Sequence, residues 1–311
     1  MRRIAVDELR SRLPSWRPGV VLDEVLAFLA ASEEIAPPER VAVFDNDGTL
    51  WCEKPEIFQA EFFLHELRAA AAADPALAER PEYRALLDHD QAALAGFGLP
   101  RLAVALAELC AGLTAEEFSA RSASFLLQRQ HPTLGRPFGR AVYQPMLELL
   151  DALRVQRFAT FIVSGGGTEF VRAISEQLYG VAPEGVVGTL IEYEYVTRDG
   201  APALRRTGRI SGDANEGPAK VLNIQQHLGR RPVFAAGNSA GDRDMIEWAI
   251  AVPGPSLGIL IDHDDDKREF AYESVAATFA TTEHIVDVGR REGWTVVSMR
   301  DDWSTIFPQL Q

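Results

Sequence analysis

The sequence predicts an α/β protein: a doubly wound, mostly parallel sheet with an all-helical insertion after the first strand. Three observations predict it. The run Val41-Ala42-Val43-Phe44 is apolar and β-favouring and stops at Asp45-Asn46-Asp47-Gly48; a strand buried on both faces reads as such a run. From Pro145 onward, strand-like and helix-like segments alternate, the pattern of a parallel sheet covered on both faces. Between residues 55 and 144 no strand-like run occurs, and Ala, Leu and Glu dominate, which is helix composition.

The elements follow in order. Residues 21–31 have helical apolar spacing, and Pro37-Pro38 closes the helix before the first strand. The helical segment after that strand is broken near Asp74-Pro75, between Gly96 and Pro100, and at His131-Pro132. Residues 146–153 read as a helix, 158–163 as a buried strand and 168–178 as a helix opening directly after three glycines. Residues 186–197 and 203–210 read as a hairpin around Asp199-Gly200, a turn pair. A helix over 219–228, a strand over 232–236, a helix over 244–249 and a strand over 257–261 complete the series. The boundaries implied are 1–40 for an N-terminal helical arm, 41–54 with 145–311 for the core, and 55–144 for a helical cap.

Composition narrows the function. The chain has 311 residues, enough for a large core or for one domain with a sizeable insertion. Its net charge is −14 and its pI about 4.9. Nucleic acid is therefore not expected as a partner, because phosphate backbones need a basic surface. An acidic protein that handles phosphates must concentrate positive charge locally, through a metal ion, Lys, Arg or helix N-termini. The two cysteines, Cys52 and Cys110, suggest no disulfide framework, and Cys52 reads as a small unreactive residue. No segment reaches the roughly 18 uncharged apolar residues of a membrane span, so no membrane partner and a cytoplasmic location are expected. The oligomeric state is left open.

The chemistry begins at the first strand tip. Ligand sites in open α/β sheets lie at the carboxyl ends of strands. Asp45 and Asp47, two residues apart, share a face in an extended chain. Two carboxylates at one spot repel and call for a cation or a shared proton. One can attack while the other moves protons; the competing reading is a strand that ends in an Asx turn. Ser164 precedes three glycines and a helix start. Its hydroxyl, the close backbone approach that Gly165 and Gly166 permit, and free helix N–H groups together suit a phosphate, or else simply form a flexible turn. Lys220 stands at a helix start, where the dipole disfavours it unless an anion is near; the alternative is a solvated surface lysine. No other lysine lies between Lys54 and Lys267.

Four segments, in order, carry a resemblance. Asp45-Asn46-Asp47-Gly48-Thr49-Leu50 resembles motif I of the haloacid dehalogenase superfamily of aspartate-nucleophile hydrolases. The strand of residues 158–163 ending at Ser164-Gly165-Gly166 resembles motif II, Lys220 the motif III lysine, and Gly237-Asn238-Ser239-Ala240-Gly241-Asp242 the acidic motif IV. The likeness runs from Val41 to Val252 and is nearest the phosphoserine-phosphatase-like branch. It implies a Rossmann-like core and a Mg²⁺-dependent phosphatase acting on a small phosphorylated metabolite. Asp45 would be the nucleophile that becomes an aspartyl phosphate, and Asp47 the general acid and base. Ser164, Gly165 and Lys220 would bind phosphate. Asp45, Asp47 through its carbonyl, Asp242 and Asn238 would face the metal. Asn238 departs from the branch, which has an acid there.

Related phosphoserine phosphatases carry a substrate-binding Glu whose position by register is Lys54 here, with Glu53 adjacent. Trp51, Glu53, Lys54 and Phe58 are thus expected to set the substrate where the chain leaves the core, although Trp51 and Phe58 equally suit packing of a hinge. Two other functions stay open: a phosphotransferase using the same intermediate, and a non-catalytic binding or regulatory protein on this scaffold. The acidic run Asp262-His263-Asp264-Asp265-Asp266 reads as a solvated loop or as a rim contact to substrate.

Overall fold

A computed structural model describes residues 4–310. Among them, seven strands form one sheet: β1 (Val41–Phe44), β2 (Ala159–Gly167), β3 (Val186–Arg198), β4 (Ala201–Ser211), β5 (Phe234–Gly237), β6 (Leu257–Asp262) and β7 (Thr295–Ser298). Their order is β4-β3-β2-β1-β5-β6-β7, parallel throughout except for the β3-β4 pair. The chain steps outward from β1 to β4 and then returns to β5 on the other flank of β1. The crevice between β1 and β5 is therefore the topological switch point, the place where such sheets bind ligands. Every residue of β1 and β5 is buried, which is why both read as uninterrupted apolar runs.

The N-terminal helices are α1 (Val6–Ser11) and α2 (Val20–Ala31). They are built into the core rather than projecting from it. Phe28 of α2 lies 5.7 Å from Phe158 and 5.8 Å from Phe234, centroid to centroid. The Trp16 indole donates to the Pro145 carbonyl and meets Trp303 edge-on at 5.9 Å.

Between β1 and β2 lie α3 (Phe58–Ala73), α4 (Pro81–Leu87), α5 (Gln91–Phe97), α6 (Leu99–Leu109) and α7 (Ala115–Gln128), then α8 (Gln144–Val155), which leads into β2. Thr114 opens α7 with a capping box, its hydroxyl on the Glu117 N–H and the Glu117 carboxylate on its own N–H. Phe62 of α3 touches Phe118 and Phe125 of α7. It also lies 5.4 Å from Phe170 of α9 (Thr168–Tyr179), so an aromatic cluster joins the inserted helices to the core. α6 lies on β4 at Gly208, where an added Cβ would come within 2.5 Å of Glu108. Among the described residues no single helix is long and apolar enough to cross a membrane; α5 and α6 meet the length and composition only as a pair bent by 97°.

The β3-β4 hairpin turns at Asp199 (φ 53°) and Gly200 (φ 82°), the double left-handed geometry of a type I′ turn. The remaining helices are α10 (Pro218–Leu228), α11 (Arg243–Ile250), α12 (Ile285–Glu292) and α13 (Met299–Asp302). β7 extends the sheet beyond the last strand expected from the sequence, with α12 before it and α13 after it. β7 has four residues and no flanking turn dipeptide, so its only assignment comes from pairing with β6, Ile259 to Thr295 through Asp262 to Ser298.

Candidate active site

β1 ends by carrying its pairing one residue further, the Asp45 N–H donating to the Ala236 carbonyl at 2.8 Å. The chain then turns tightly: the Asn46 carbonyl accepts from the N–H groups of Thr49, Leu50 and Trp51. Gly48 is required twice over. Its φ is +72°, and an added Cβ would stand 2.0 Å from Asn238 Nδ2. This turn presents Asp45 and Asp47 at the crevice between β1 and β5.

Lys220 sits in the first turn of α10 and is 2 % exposed. Its ammonium donates to Asp45 Oδ1 at 2.6 Å, Asp242 Oδ1 at 2.6 Å and the Val163 carbonyl at 2.8 Å, filling its three donor positions. Burial opposes the charge, but Asp242 and Asp45 outweigh it and hold the lysine above its usual pKa. Asp45 is pushed well above the carboxylate range by burial and by Asp242, with Lys220 opposing and Asp47 adding to the rise. Asp47 is raised to about 6, first by desolvation, while the Trp51 indole works in the other direction.

Asp242, expected among the metal ligands, has a different partner set. Its Oδ2 accepts from the N–H groups of Asn238 and Ser239, each at 3.0 Å, and from the Ser239 hydroxyl, while its Oδ1 takes Lys220. Both oxygens help fold the turn after β5, and one of them orients the lysine.

Ser164 and the glycines end β2 at the point where its register with β3 shifts. The Ser164 hydroxyl accepts from the Gly166 N–H at 3.0 Å and lies 3.5 Å from Asp47 Oδ2. Buried Asn215 clamps the bend, its amide donating to the carbonyls of Ser164 and Val187. The N-terminus of α9 opens here, and the Gly167 N–H donates to Gln59 Oε1 of α3 at 2.7 Å. An added Cβ at Gly166 would be 2.9 Å from Gln59 Oε1, 3.2 Å from Ser164 Oγ and 3.7 Å from Asp47 Oδ2. Asp47, Ser164 and Gln59 thus converge on one glycine.

A family model described as haloacid dehalogenase-like hydrolase matches residues 42–247, more than half of the chain. The chain belongs to the haloacid dehalogenase-like hydrolase family. No curated protein matches it. Among solved structures, a conserved functionally unknown protein from Anaerococcus prevotii DSM 20548 is 14% identical, with a TM-score of 0.56 over 89% of this chain and 90% of that one. A protein with unknown function from Bordetella pertussis Tohama I is 19% identical, with a TM-score of 0.52 over 83% of this chain and 98% of the other. Both have the doubly wound fold described above. A probable phosphoserine phosphatase from Vibrio cholerae also matches, at 17% identity and a TM-score of 0.41, over 77% and 60% of the two chains.

Hydrolases of this family imply a metal, and the donor set suits a small hard cation. The Thr49 hydroxyl lies 3.2 Å from Asp45 Oδ2 and 3.4 Å from Asn238 Oδ1, which brings a carboxylate and an amide oxygen to one hydroxyl of the turn. Such cations take carboxylate, amide and carbonyl oxygens. Among the described residues no three His, Cys, Asp or Glu side chains form a metal cluster; the side-chain oxygens that meet here are those of Asp45 and Asn238.

The four residues expected at the rim separate. Trp51 and Phe58 are fully buried, their rings tilted by 43° at 4.9 Å, so they form the packed floor at which α3 leaves the core. Trp51 also donates its indole N–H to Asp47 Oδ1 at 2.9 Å. The Lys54 ammonium lies 4.5 Å from the centre of the Tyr272 ring. Glu53 accepts from the Tyr272 hydroxyl at 2.8 Å and from Asn238 Nδ2 at 3.0 Å.

Three residues of the acidic run after β6 make structural contacts, while Asp266 is exposed. His263 Nε2 donates to the Gly48 carbonyl at 2.8 Å, and its ring stacks on Tyr272. Asp264 accepts from Ser298 and from the Arg300 N–H, and Asp265 pairs with Arg268. Cys52 is a buried free thiol whose pKa burial pushes far up. Sequence reasoning passed over Gln59, Asn215 and Tyr272, and met His263 only as part of the acidic run. Their roles arise from contacts between segments, and no local spacing marks them.

Proposed function

We propose that this hydrolase cleaves phosphomonoesters of small metabolites through an aspartyl-phosphate intermediate and requires Mg²⁺. The observation that carries the reading is the Asp45 carboxylate at the tip of β1, held by buried Lys220 at 2.6 Å beside Asp47 and the Ser164 loop. In the first displacement an Asp45 oxygen forms a bond to phosphorus while the ester P–O bond breaks. Asp47, raised to about 6, gives its proton to the departing alkoxide. In the second, water attacks phosphorus, Asp47 takes the water proton and Asp45 is released. Splitting one hydrolysis into two displacements is covalent catalysis, and a carboxylate with a raised pKa suits both proton transfers.

Lys220 and the Ser164 hydroxyl would bind the phosphoryl oxygens, and the N-terminus of α9 favours negative charge there. Asp45, the Asp47 carbonyl and Asn238 would hold Mg²⁺, which would act as a Lewis acid on the phosphoryl group. Gln59 and Lys54 stand where the inserted helices meet the site. A neutral amide and a cation at those positions favour an uncharged or anionic ester over an amino-bearing one.

Hydrolysis of a generic aryl phosphate is expected with Mg²⁺ and is expected to disappear with a chelator. Full activity after exhaustive chelation would remove the metal from the reading, and no hydrolysis with Mg²⁺ present would remove the phosphatase assignment.

Trp51→Phe tests the proton-transfer role of Asp47. The indole N–H favours the ionised carboxylate, so its loss should raise the Asp47 pKa further. Water activation needs ionised Asp47, and the acidic limb of the kcat–pH profile should therefore move to higher pH. An unmoved limb in a folded variant would separate the indole from catalysis.

A further inference from the structure

We propose that Glu53 supplies the carboxylate that Asn238 withholds: it orients the Asn238 amide oxygen toward Asp45 and adds the missing negative charge beside the cation site. This rests on the Mg²⁺-dependent reading above. It assigns Glu53 to the metal rather than to the substrate.

Asn238 Nδ2 donates to Glu53 Oε1 at 3.0 Å and to Ser274 Oγ at 3.1 Å. A carboxylate only accepts hydrogen bonds, so the amide nitrogen must face Glu53. The amide oxygen is thereby turned the other way, to the Thr49 hydroxyl that it shares with Asp45 Oδ2. With the opposite flip, an amide N–H would point at the place where a cation needs an oxygen. The Tyr272 hydroxyl donates to the same Glu53 oxygen at 2.8 Å and fixes its position.

Glu53 also stands close to the motif I backbone. An added Cβ at Gly48 would lie 2.8 Å from Glu53 Oε1 and 2.0 Å from Asn238 Nδ2. Among the described residues no Lys or Arg forms an ion pair with Glu53; the neighbouring Lys54 ammonium lies over the Tyr272 ring instead. The carboxylate charge is therefore available to the cradle formed by Asp45, the Asp47 carbonyl and Asn238. Partners that orient a metal ligand and supply charge behind it tune affinity as the ligands themselves do.

Isothermal titration calorimetry with Mg²⁺ alone, on wild type, Glu53→Gln and the double variant Glu53→Gln with Asn238→Asp, tests this. Glu53→Gln should weaken Mg²⁺ binding by about 10- to 100-fold, the usual effect of losing such a partner. The double variant returns the charge to position 238, where the amide introduced at position 53 can donate to it, and should recover most of the affinity. Circular dichroism and metal-free melting curves check the fold. If the Gln variant does not fold, Glu53→Ala carries the same expectation of weakened binding. Unchanged affinity in Glu53→Gln or Glu53→Ala would overturn the assignment, as would a weakening that Asn238→Asp fails to repair. A wild-type protein that binds no Mg²⁺ would overturn both this proposal and the metal requirement. The aryl phosphate assay would then judge hydrolysis separately.

Discussion

Asp45→Asn is expected to abolish turnover in a protein that stays folded. The amide keeps the shape of the carboxylate and one oxygen for Lys220, which in any case retains Asp242 and the Val163 carbonyl. It also removes one of the acids that repel each other at the strand tip. The melting temperature should therefore change little or rise. Catalysis has no such reserve. An amide does not form the covalent phosphoryl intermediate, and losing that route should lower kcat by at least ~10³. Single-turnover assays on freshly purified variant, with mass spectrometry to exclude deamidation back to Asp, make the measurement. Ordinary turnover in a homogeneous preparation of this variant would mean that Asp45 is not the nucleophile.

The part of the site that lies on strands was legible in the sequence, because burial on both faces leaves a local signature. The apolar run before Asp45 and the one before Ser164 placed both groups at strand ends, and the sheet order puts those strands side by side. The hairpin was legible from Asp199-Gly200, since only a few residue pairs tolerate two successive left-handed conformations. What could not be read is what long-range packing decides. Trp51 and Phe58 were equally suited to a pocket or to a hinge, and the choice was made by Phe138 and Phe170, which close around them. Asp242 resembled a ligand by its place in motif IV, but its bonds to Lys220 and to the turn that it caps were not legible there. Glu53 resembled a substrate contact by its place after motif I, and only Asn238 and Tyr272, brought in from distant segments, show where it points.

Lys220→Met is expected to damage stability and activity together, more than any other single change at the site. Met matches the unbranched stem of lysine but leaves Asp45 Oδ1, Asp242 Oδ1 and the Val163 carbonyl without their donor. The Lys220 and Asp242 side chains are 2% and 1% exposed, so water does not replace it cheaply. Removing one partner of a buried ion pair destabilises by about 3–5 kcal/mol, a large part of the ~5–15 kcal/mol that holds a typical domain folded. The sign of the pH dependence follows from Asp45. Its folded pKa is already above the unfolded value because of burial, Asp242 and Asp47, with Lys220 in opposition, and loss of Lys220 should raise it further. A folded state that binds more protons than the unfolded chain loses stability as pH rises from the unfolded carboxylate value, about 3.9, toward the raised folded one. Stability should return as the pH is lowered through that window. Melting curves of both proteins across mildly acidic to neutral pH should therefore show a gap that is widest at neutral pH and narrows toward acid. If the variant melts with the wild type at neutral pH, Asp45 needs no cation because it is already protonated. A protonated Asp45 would be a poor nucleophile, so that single result would count against the stability argument and the proposed mechanism at once.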